Sequence, residues 1–383
     1  MTKTPQHHVP KLRFPEFEEE WEEYLLEDKV TNKSQKCNLS TSENKKVIEL
    51  DSIEQNTGRL IKTYDSKDLK STKNVFEKNQ VLYSKLRPYL NKYYYTDFEG
   101  LCSSEIWVLK AKNKDTSNRF VYSFIQTNRF SKAANVSAGS KMPRAEWDSV
   151  KNTILFIPNY TEQEKIGMFF NKLDRQIELE EKKLELLEQQ KKGYMQKIFS
   201  QKLRFKDENG NEYPEWEDVK LQNIANIKKG EQIKKENIDN NGKYYHLNGG
   251  TTASSRTNLF NTNPFTISIS EGGNSCGFIK MNKEYFFSGG HNYTLLDLSV
   301  SNFYLYAYLK YHEKKIMSLR VGSGLPNIQK KDISNYLIKI PRKEEQEKIG
   351  SFFKNLDEFI EKQVSKIELL KQRKQGLLQK MFV

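Results

Sequence analysis

Residues 157–200 read IPNYTEQEKIGMFFNKLDRQIELEEKKLELLEQQKKGYMQKIFS, and residues 340–383 read IPRKEEQEKIGSFFKNLDEFIEKQVSKIELLKQRKQGLLQKMFV. The two stretches align without a gap at an offset of 183, with about half the positions identical. Gly167 meets Gly350, Phe169 and Phe170 meet Phe352 and Phe353, Asp174 meets Asp357, and Gly193 meets Gly376. The register continues upstream, where Gly139-Ser140 and Pro143 fall opposite Gly322-Ser323 and Pro326. A second echo opens each half: Lys11-Leu12-Arg13-Phe14 followed by Trp21, then Lys202-Leu203-Arg204-Phe205 followed by Trp216. Self-similarity on this scale marks one structural unit written twice. Residues 31–138 and 222–321 share little identity, so a common scaffold carries unlike inserts.

The repeated stretches read as long helices. Apolar residues recur mostly three and four apart at Ile166, Phe169, Leu173, Ile177, Leu184 and Leu187, the spacing of one helix face. The second copy gives Ile349, Phe352, Leu356, Ile360, Ile367 and Leu370. Pro158 and Pro341 precede the helices, where proline is tolerated, and Thr161 or Glu344 suits the first turn. About 39 helical residues span on the order of 58 Å. So narrow a stripe is a coiled-coil seam, and the chain contains its own mate. An intramolecular antiparallel pair is expected, with dimerisation through the same stripe as the alternative. Gly193 and Gly376 weaken a helix, which suggests close helix contact there.

The intervening regions have mixed character. Strand-like runs are Val47–Leu50, Glu105–Leu109, Phe265–Ile269 and Tyr336–Ile340. Helical pieces are expected around Asn118–Phe130 and Val300–Tyr311, and turns at Asn209-Gly210-Asn211 and Asn240-Asn241-Gly242. Each half therefore reads as a small α/β domain followed by a long helix. The predicted residue ranges are 1–156 and 201–339 for the domains, and 157–200 and 340–383 for the helices.

Lys and Arg number 63 against 50 Asp and Glu, for a net charge of +13. The excess is uneven: residues 31–160 carry 22 basic and 13 acidic groups and residues 201–340 carry 19 and 14, while 161–200 is balanced at 8 each. Residues 341–383 hold 10 basic and 7 acidic groups, so the charge is concentrated in the domains, which suggests a polyanionic, phosphate-bearing partner. In the first domain, Lys85, Arg87, Tyr89 and Asn91 form a dense cluster of donors, joined by Ser104, Lys141 and Arg144. Arginine can fork onto guanine and asparagine onto adenine in the major groove. In the second, Ser270, Gly272 and Asn274 share one glycine-rich turn and His291, Asn292 and Tyr293 follow another, with Ser323 opposite Ser140. Such turns let backbone approach phosphate.

Several function classes find no support. No G-x-x-x-x-G-K-[ST] loop occurs and no G-x-G-x-x-G turn follows a strand. Asn263-Pro264-Phe265 lacks the second proline of an amino-methylating loop. No nucleophile–base constellation stands out, and Cys37, Cys102 and Cys276 are too scattered for a metal site. No window is long and apolar enough for a membrane span, and MTKTPQHHVP has no secretory h-region. The expectation is a cytoplasmic protein without catalysis, cofactor or metal of its own.

Two variable regions, each followed by I-P-x-x-x-E-Q-x-K-I-G and a charged helix, resemble the specificity subunit of type I restriction–modification enzymes. The matching residues are Ile157, Pro158, Glu162, Gln163, Lys165 and Ile166, then Ile340, Pro341, Glu345, Gln346, Lys348 and Ile349, with Leu12–Pro15 similar to the family's opening. The resemblance implies two α/β target recognition domains separated by two spacer helices that form an antiparallel coiled coil with pseudo-twofold symmetry. It implies that each domain reads one half of an asymmetric, split DNA site. It further implies docking of two methyltransferase subunits for adenine N6-methylation and of two restriction (translocase) subunits, with S-adenosylmethionine and ATP bound by those partners. The alternative is a stand-alone DNA-binding regulator that dimerises through its helices.

Overall fold

The computed structural model describes residues 8–37, 44–68, 71–136, 142–322, 324 and 326–382. The two repeated stretches form helices Tyr160–Phe199 and Lys343–Met381. The chain divides into two compact units: Met1–Glu181 with Ser365–Val383, and Lys182–Val364. In the first unit the start of the first long helix lies antiparallel to the end of the second. Asp174 pairs with Lys374 at 2.5 Å, Glu180 with Lys366, and Glu181 with Lys371 at 2.6 Å. In the second unit the roles are exchanged: Lys191 pairs with Asp357, Tyr194 meets Phe352 edge-on at 5.1 Å, and Phe199 stacks on Phe353 at 5.7 Å.

The repeated motif proves to be an anchor for the helix. Glu162 is fully buried and accepts both guanidinium bonds of Arg13, at 2.8 and 2.7 Å. Glu345, equally buried, accepts from Arg204 at 3.2 and 2.6 Å and from the Trp216 indole at 3.1 Å. Gln163 donates to the Pro158 carbonyl and accepts from the Ser117 N–H, at 2.9 and 2.8 Å; Gln346 does the same with Pro341 and Ser301, both at 2.9 Å. Ser117 and Ser301 immediately precede helices Asn118–Phe124 and Asn302–Tyr311. Each glutamine thus satisfies backbone groups that helix ends leave open. Gly167 and Gly350 complete the joint, since a Cβ would sit 2.5 Å from Arg119 Cβ or 2.8 Å from the Tyr304 nitrogen. The side chain that caps the first long helix is Asn159, whose Oδ1 accepts from the Glu162 N–H at 3.0 Å, not Thr161.

The inserts share a topology their sequences hide. In the first unit Glu22–Leu25 pairs antiparallel with Ile154–Ile157, and in the second Glu217–Lys220 pairs with Leu337–Ile340. Next comes a four-stranded sheet in the order Val30–Thr31, Ile106–Ala111, Val81–Ser84, Tyr93–Tyr95. Its counterpart runs Asn226–Lys229, Asn292–Leu296, Thr266–Ser270, Ile279–Asn282. A further sheet has five strands in the first unit and three in the second. Each contains one parallel pair, Lys46–Ile48 with Gly100–Ser103 and Tyr244–Leu247 with Phe286–Ser288. The expected helix over 118–130 is broken after Phe124 and resumes at Asn128–Ala134, capped by the Thr127 hydroxyl.

Burial along the long helices is uneven. Ile166, Ile177, Ile349 and Ile367 are buried. Phe169, Leu173, Leu184 and Leu187 are only half-buried, as are Phe352, Leu356, Ile360 and Leu370. The first turns of each helix instead bury Phe170 among Trp21 and Phe120, or Phe353 among Trp216 and Tyr304. A helix set against a domain body buries a broader face than one meeting a single partner.

Gly193 and Gly376 do not mediate close contact, because an added Cβ would meet nothing within 4 Å. Gly193→Ala and Gly376→Ala are each expected to raise stability by about 0.5–1 kcal/mol by removing a mid-helix glycine, measurable by urea denaturation. Loss of stability in both would reinstate a packing role.

His312 closes helix Asn302–Tyr311 against the rings of Tyr308 and Tyr311, at 4.5 and 4.8 Å. Burial, assisted by Lys315, pushes its pKa down to about 4. The unfolded chain therefore takes up this proton first, near the ordinary value of about 6.5. The stability that neutral His312 supports is present above pH 6.5 and is lost as the pH falls towards 4. The melting temperature of the second unit should fall more steeply across this window in the wild type than in His312→Gln.

Candidate nucleic-acid interface

Three separate clusters converge at one end of the two inner strands of the first unit's four-stranded sheet. Lys85 follows strand Val81–Ser84; its N–H donates to the Glu105 carbonyl at 3.0 Å and its carbonyl accepts from Ala145 at 2.7 Å. Leu86 bridges Arg144, and the Arg87 N–H donates to the Pro143 carbonyl at 2.8 Å. Lys85–Asn91, Ser104-Glu105 and Pro143-Arg144 therefore form one surface. Arg87 and Asn91 flank the turn Pro88–Leu90 with φ of 51° and 45°. Asparagine tolerates this left-handed region, whereas for arginine it costs about 1–2 kcal/mol. Strain of this kind clusters at functional loops. Tyr89 is 53% exposed, and Arg87 and Ser104 are also exposed.

Arg144 is held in place. Its Nε lies 3.3 Å from Glu105 Oε2, and half of its side chain faces solvent. Asn91 takes a different role from the one expected, because its amide donates to Asn56 Oδ1 at 3.1 Å and its carbonyl accepts from Asn56 at 3.0 Å. It ties down the loop before Arg59. Lys141 lies outside the described residues, as do Gly139 and Ser140.

The second unit presents the corresponding end. Gly272 bridges Asn327, and the Gly273 N–H donates to the Pro326 carbonyl at 2.9 Å. Asn327 and Pro326 stand 183 positions after Arg144 and Pro143. The two glycine-rich turns are laced together. Glu271 donates its N–H to the His291 carbonyl at 2.9 Å, and Asn248 Oδ1 accepts from the His291 N–H at 3.0 Å. Gly249, at φ +80°, and Gly289 are required by crowding: a Cβ would lie 2.6 Å from the His291 carbonyl oxygen or from Asn248 Oδ1.

Three candidates at this end face inward, which corrects their assignment as DNA contacts. Ser270, Asn292 and Tyr293 are at most 3% exposed. Their polar atoms are used on Gly249, Ser288 and Glu271, at 2.7, 3.0 and 2.8 Å. Asn274 and His291 are exposed, Gly272 is half-buried, and Ser323 lies outside the described residues. Lys229, missed at the sequence level, reaches Glu271 Oε1 at 2.5 Å. Among the described residues no group of His, Cys, Asp and Glu could hold a metal, and no helix is long and apolar enough to cross a membrane.

A family model described as "Type I restriction modification DNA specificity domain" matches twice, over residues 18–189 and 213–372. A putative type I specificity subunit of Mycoplasma genitalium is 35% identical over 173 residues, 44% of this chain and 44% of that protein. One of Mycoplasma pneumoniae is 41% identical over 123 residues, 31% of this chain and 32% of that protein. The chain thus spans less than half the length of these relatives. The crystal structure of a type I restriction–modification system S subunit from M. genitalium gives a TM-score of 0.67 at 19% identity, covering 98% of this chain and 99% of that one, a likeness of fold. With the family model covering both halves, this chain belongs to the specificity-subunit family of type I restriction–modification systems.

Proposed function

We propose that the protein reads an asymmetric, bipartite site on double-stranded DNA and brings methyltransferase and restriction subunits to it. In this reading residues 1–156 and 201–339 are target recognition domains, each reading one half-site. Residues 157–200 and 340–383 are spacer helices that pair antiparallel, relate the domains by a pseudo-dyad and dock two methyltransferase subunits, with two restriction subunits completing the enzyme. The chain itself is non-catalytic, works in the cytoplasm, and leaves S-adenosylmethionine and ATP to its partners. One observation carries the reading: the two units hold unlike loops on one framework. The anchors Arg13–Glu162 and Arg204–Glu345 are the same. The loop edges are not, with Arg87, Tyr89 and Arg144 on one and Lys229, Asn274 and His291 on the other. Similar scaffolds with unlike tips suit two different half-sites read at a fixed separation.

The test is methylome sequencing of cells carrying the gene with its neighbouring methyltransferase gene, against a deletion strain. A split adenine motif should vanish on deletion. Exchanging residues 31–156 for those of another family member should change one half-site and leave the other intact. Methylation unaffected by deletion, or a change in both half-sites after the exchange, contradicts the reading.

A further inference from the structure

We propose that Glu271 is a positioning residue that sets Lys229 and His291 as paired hydrogen-bond donors for the DNA of one half-site, an inference that rests on the DNA-recognition role above. Glu271 is 5% exposed, and its backbone is fixed on both sides, the N–H by His291 and the carbonyl by Ile328. Its Oε1 accepts from Lys229 at 2.5 Å and from the Tyr293 hydroxyl at 2.8 Å. Its Oε2 is buried without a hydrogen bond and lies 3.6 Å from His291 Nδ1. A buried carboxylate is costly unless its oxygens are filled, so a small movement of His291 completes the site. A charge-assisted bond needs about 2.7–2.9 Å.

The lysine and histidine are not buried with the carboxylate. The Lys229 and His291 side chains are 52% and 58% exposed. Once Nδ1–H is committed to Glu271, Nε2 on the opposite side of the ring is left for a ligand. The lysine ammonium donates, and so does Nε2–H when the ring carries both protons. They suit a ligand that presents two acceptors, which on DNA means the O6/N7 edge of guanine or backbone phosphate. The first unit builds the same device from other residues: Glu105 Oε2 is also buried without a hydrogen bond, beside half-exposed Arg144. The recurrence of a carboxylate-held cation on both edges, in regions of little sequence identity, points to shared use.

The test uses the full chain in complex with its methyltransferase subunit, on duplexes carrying the methylated motif with single-base changes in either half-site. His291→Gln and Lys229→Met, both at exposed side chains, should weaken cognate binding about 5- to 150-fold each, the worth of one good base contact. Discrimination at the half-site read by the other unit should be unchanged. A guanine contact relaxes specificity at one base; a phosphate contact weakens all sequences alike and lowers the salt slope by about one. Glu271→Gln keeps the shape and should match those losses. In the Glu271→Gln background, His291→Gln should add little further loss, a non-additivity that a purely structural role does not produce. His291→Gln and Lys229→Met with wild-type affinity, discrimination and salt slope would overturn the proposal. Failure of the wild-type complex to discriminate any split sequence would instead overturn the DNA-recognition role, and this inference with it.

Discussion

Replacing Glu345 with alanine is expected to destabilise the second unit by about 3–5 kcal/mol, the usual loss when one partner of a buried ion pair is removed. The carboxylate is fully buried and accepts three hydrogen bonds, two from Arg204 and one from the Trp216 indole. Alanine leaves a guanidinium that is 16% exposed and a buried indole N–H, both unsatisfied apart from the Arg204 bond to Pro214. At about 2–4 °C per kcal/mol for a unit of this size, the melting temperature should drop by roughly 10 °C. Glu162→Ala in the first unit should cost about 1 kcal/mol less, because Trp21 Nε1 makes no bond to Glu162 and has no partner to lose. Replacing both partners, Arg204→Met with Glu345→Leu, should recover much of the loss, since the strong effect comes from the charge left behind. A Glu345→Ala chain that unfolds within 1 kcal/mol of wild type would remove the anchoring role assigned to the repeated motif.

That motif also shows how far the sequence could be read. The offset of 183 disclosed a repeated unit, and the spacing of Ile166, Ile177, Ile349 and Ile367 disclosed a buried helix face. What each motif residue does was not legible. Gln163 works by reaching Ser117, 46 residues away, and Glu162 by reaching Arg13, 149 residues away. Phe169-Phe170 and Phe352-Phe353 each offer two adjacent rings that fit a helical stripe, and the domain body selects Phe170 and Phe353 for burial. The common sheet order was hidden by short strands buried on both faces, such as Val81–Ser84 and Thr266–Ser270, which carry no alternation to read.

The candidate interface was legible as a set of loops and less so as side chains. Arg87, Tyr89, Arg144 and His291 do lie on two loop edges, since glycines, prolines and basic residues favour exposed turns. Ser270, Asn292 and Tyr293 were misplaced for the same chemical reason that made them candidates: hydroxyl and amide groups that suit a ligand also hold a tight turn together. Lys229 was invisible because its partner lies 42 residues away, in the turn that follows another strand.

Lys374→Glu should produce the second large loss, about 3–5 kcal/mol in the first unit. The Lys374 side chain is 7% exposed, bonds to Asp174 at 2.5 Å and donates to Gln126 Oε1 at 2.6 Å. Burial already pushes the Asp174 pKa above the ordinary carboxylate range despite this lysine, and Asp174 Oδ2 has no hydrogen bond. A second carboxylate at this place leaves two like charges in a site that scarcely tolerates one. The loss should ease as the pH falls and Asp174 takes up a proton. The exchange Asp174→Lys with Lys374→Asp should restore most of the stability at neutral pH, because it keeps the pair and reverses only its direction. The sequence supplies its own control. Lys191 and Asp357 occupy the positions that Lys374 and Asp174 hold in the other copy, and they pair in the second unit with side chains 19% and 23% exposed. Solvent weakens such a pair, so Lys191→Glu should cost about 1 kcal/mol. Each repeat thus donates its aspartate in one unit and its lysine in the other, as antiparallel packing of two copies of one helix requires. Equal losses for Lys374→Glu and Lys191→Glu in urea denaturation would show that burial does not set the strength of the pair, and failure of the exchange to rescue would show that the pair does not set the register.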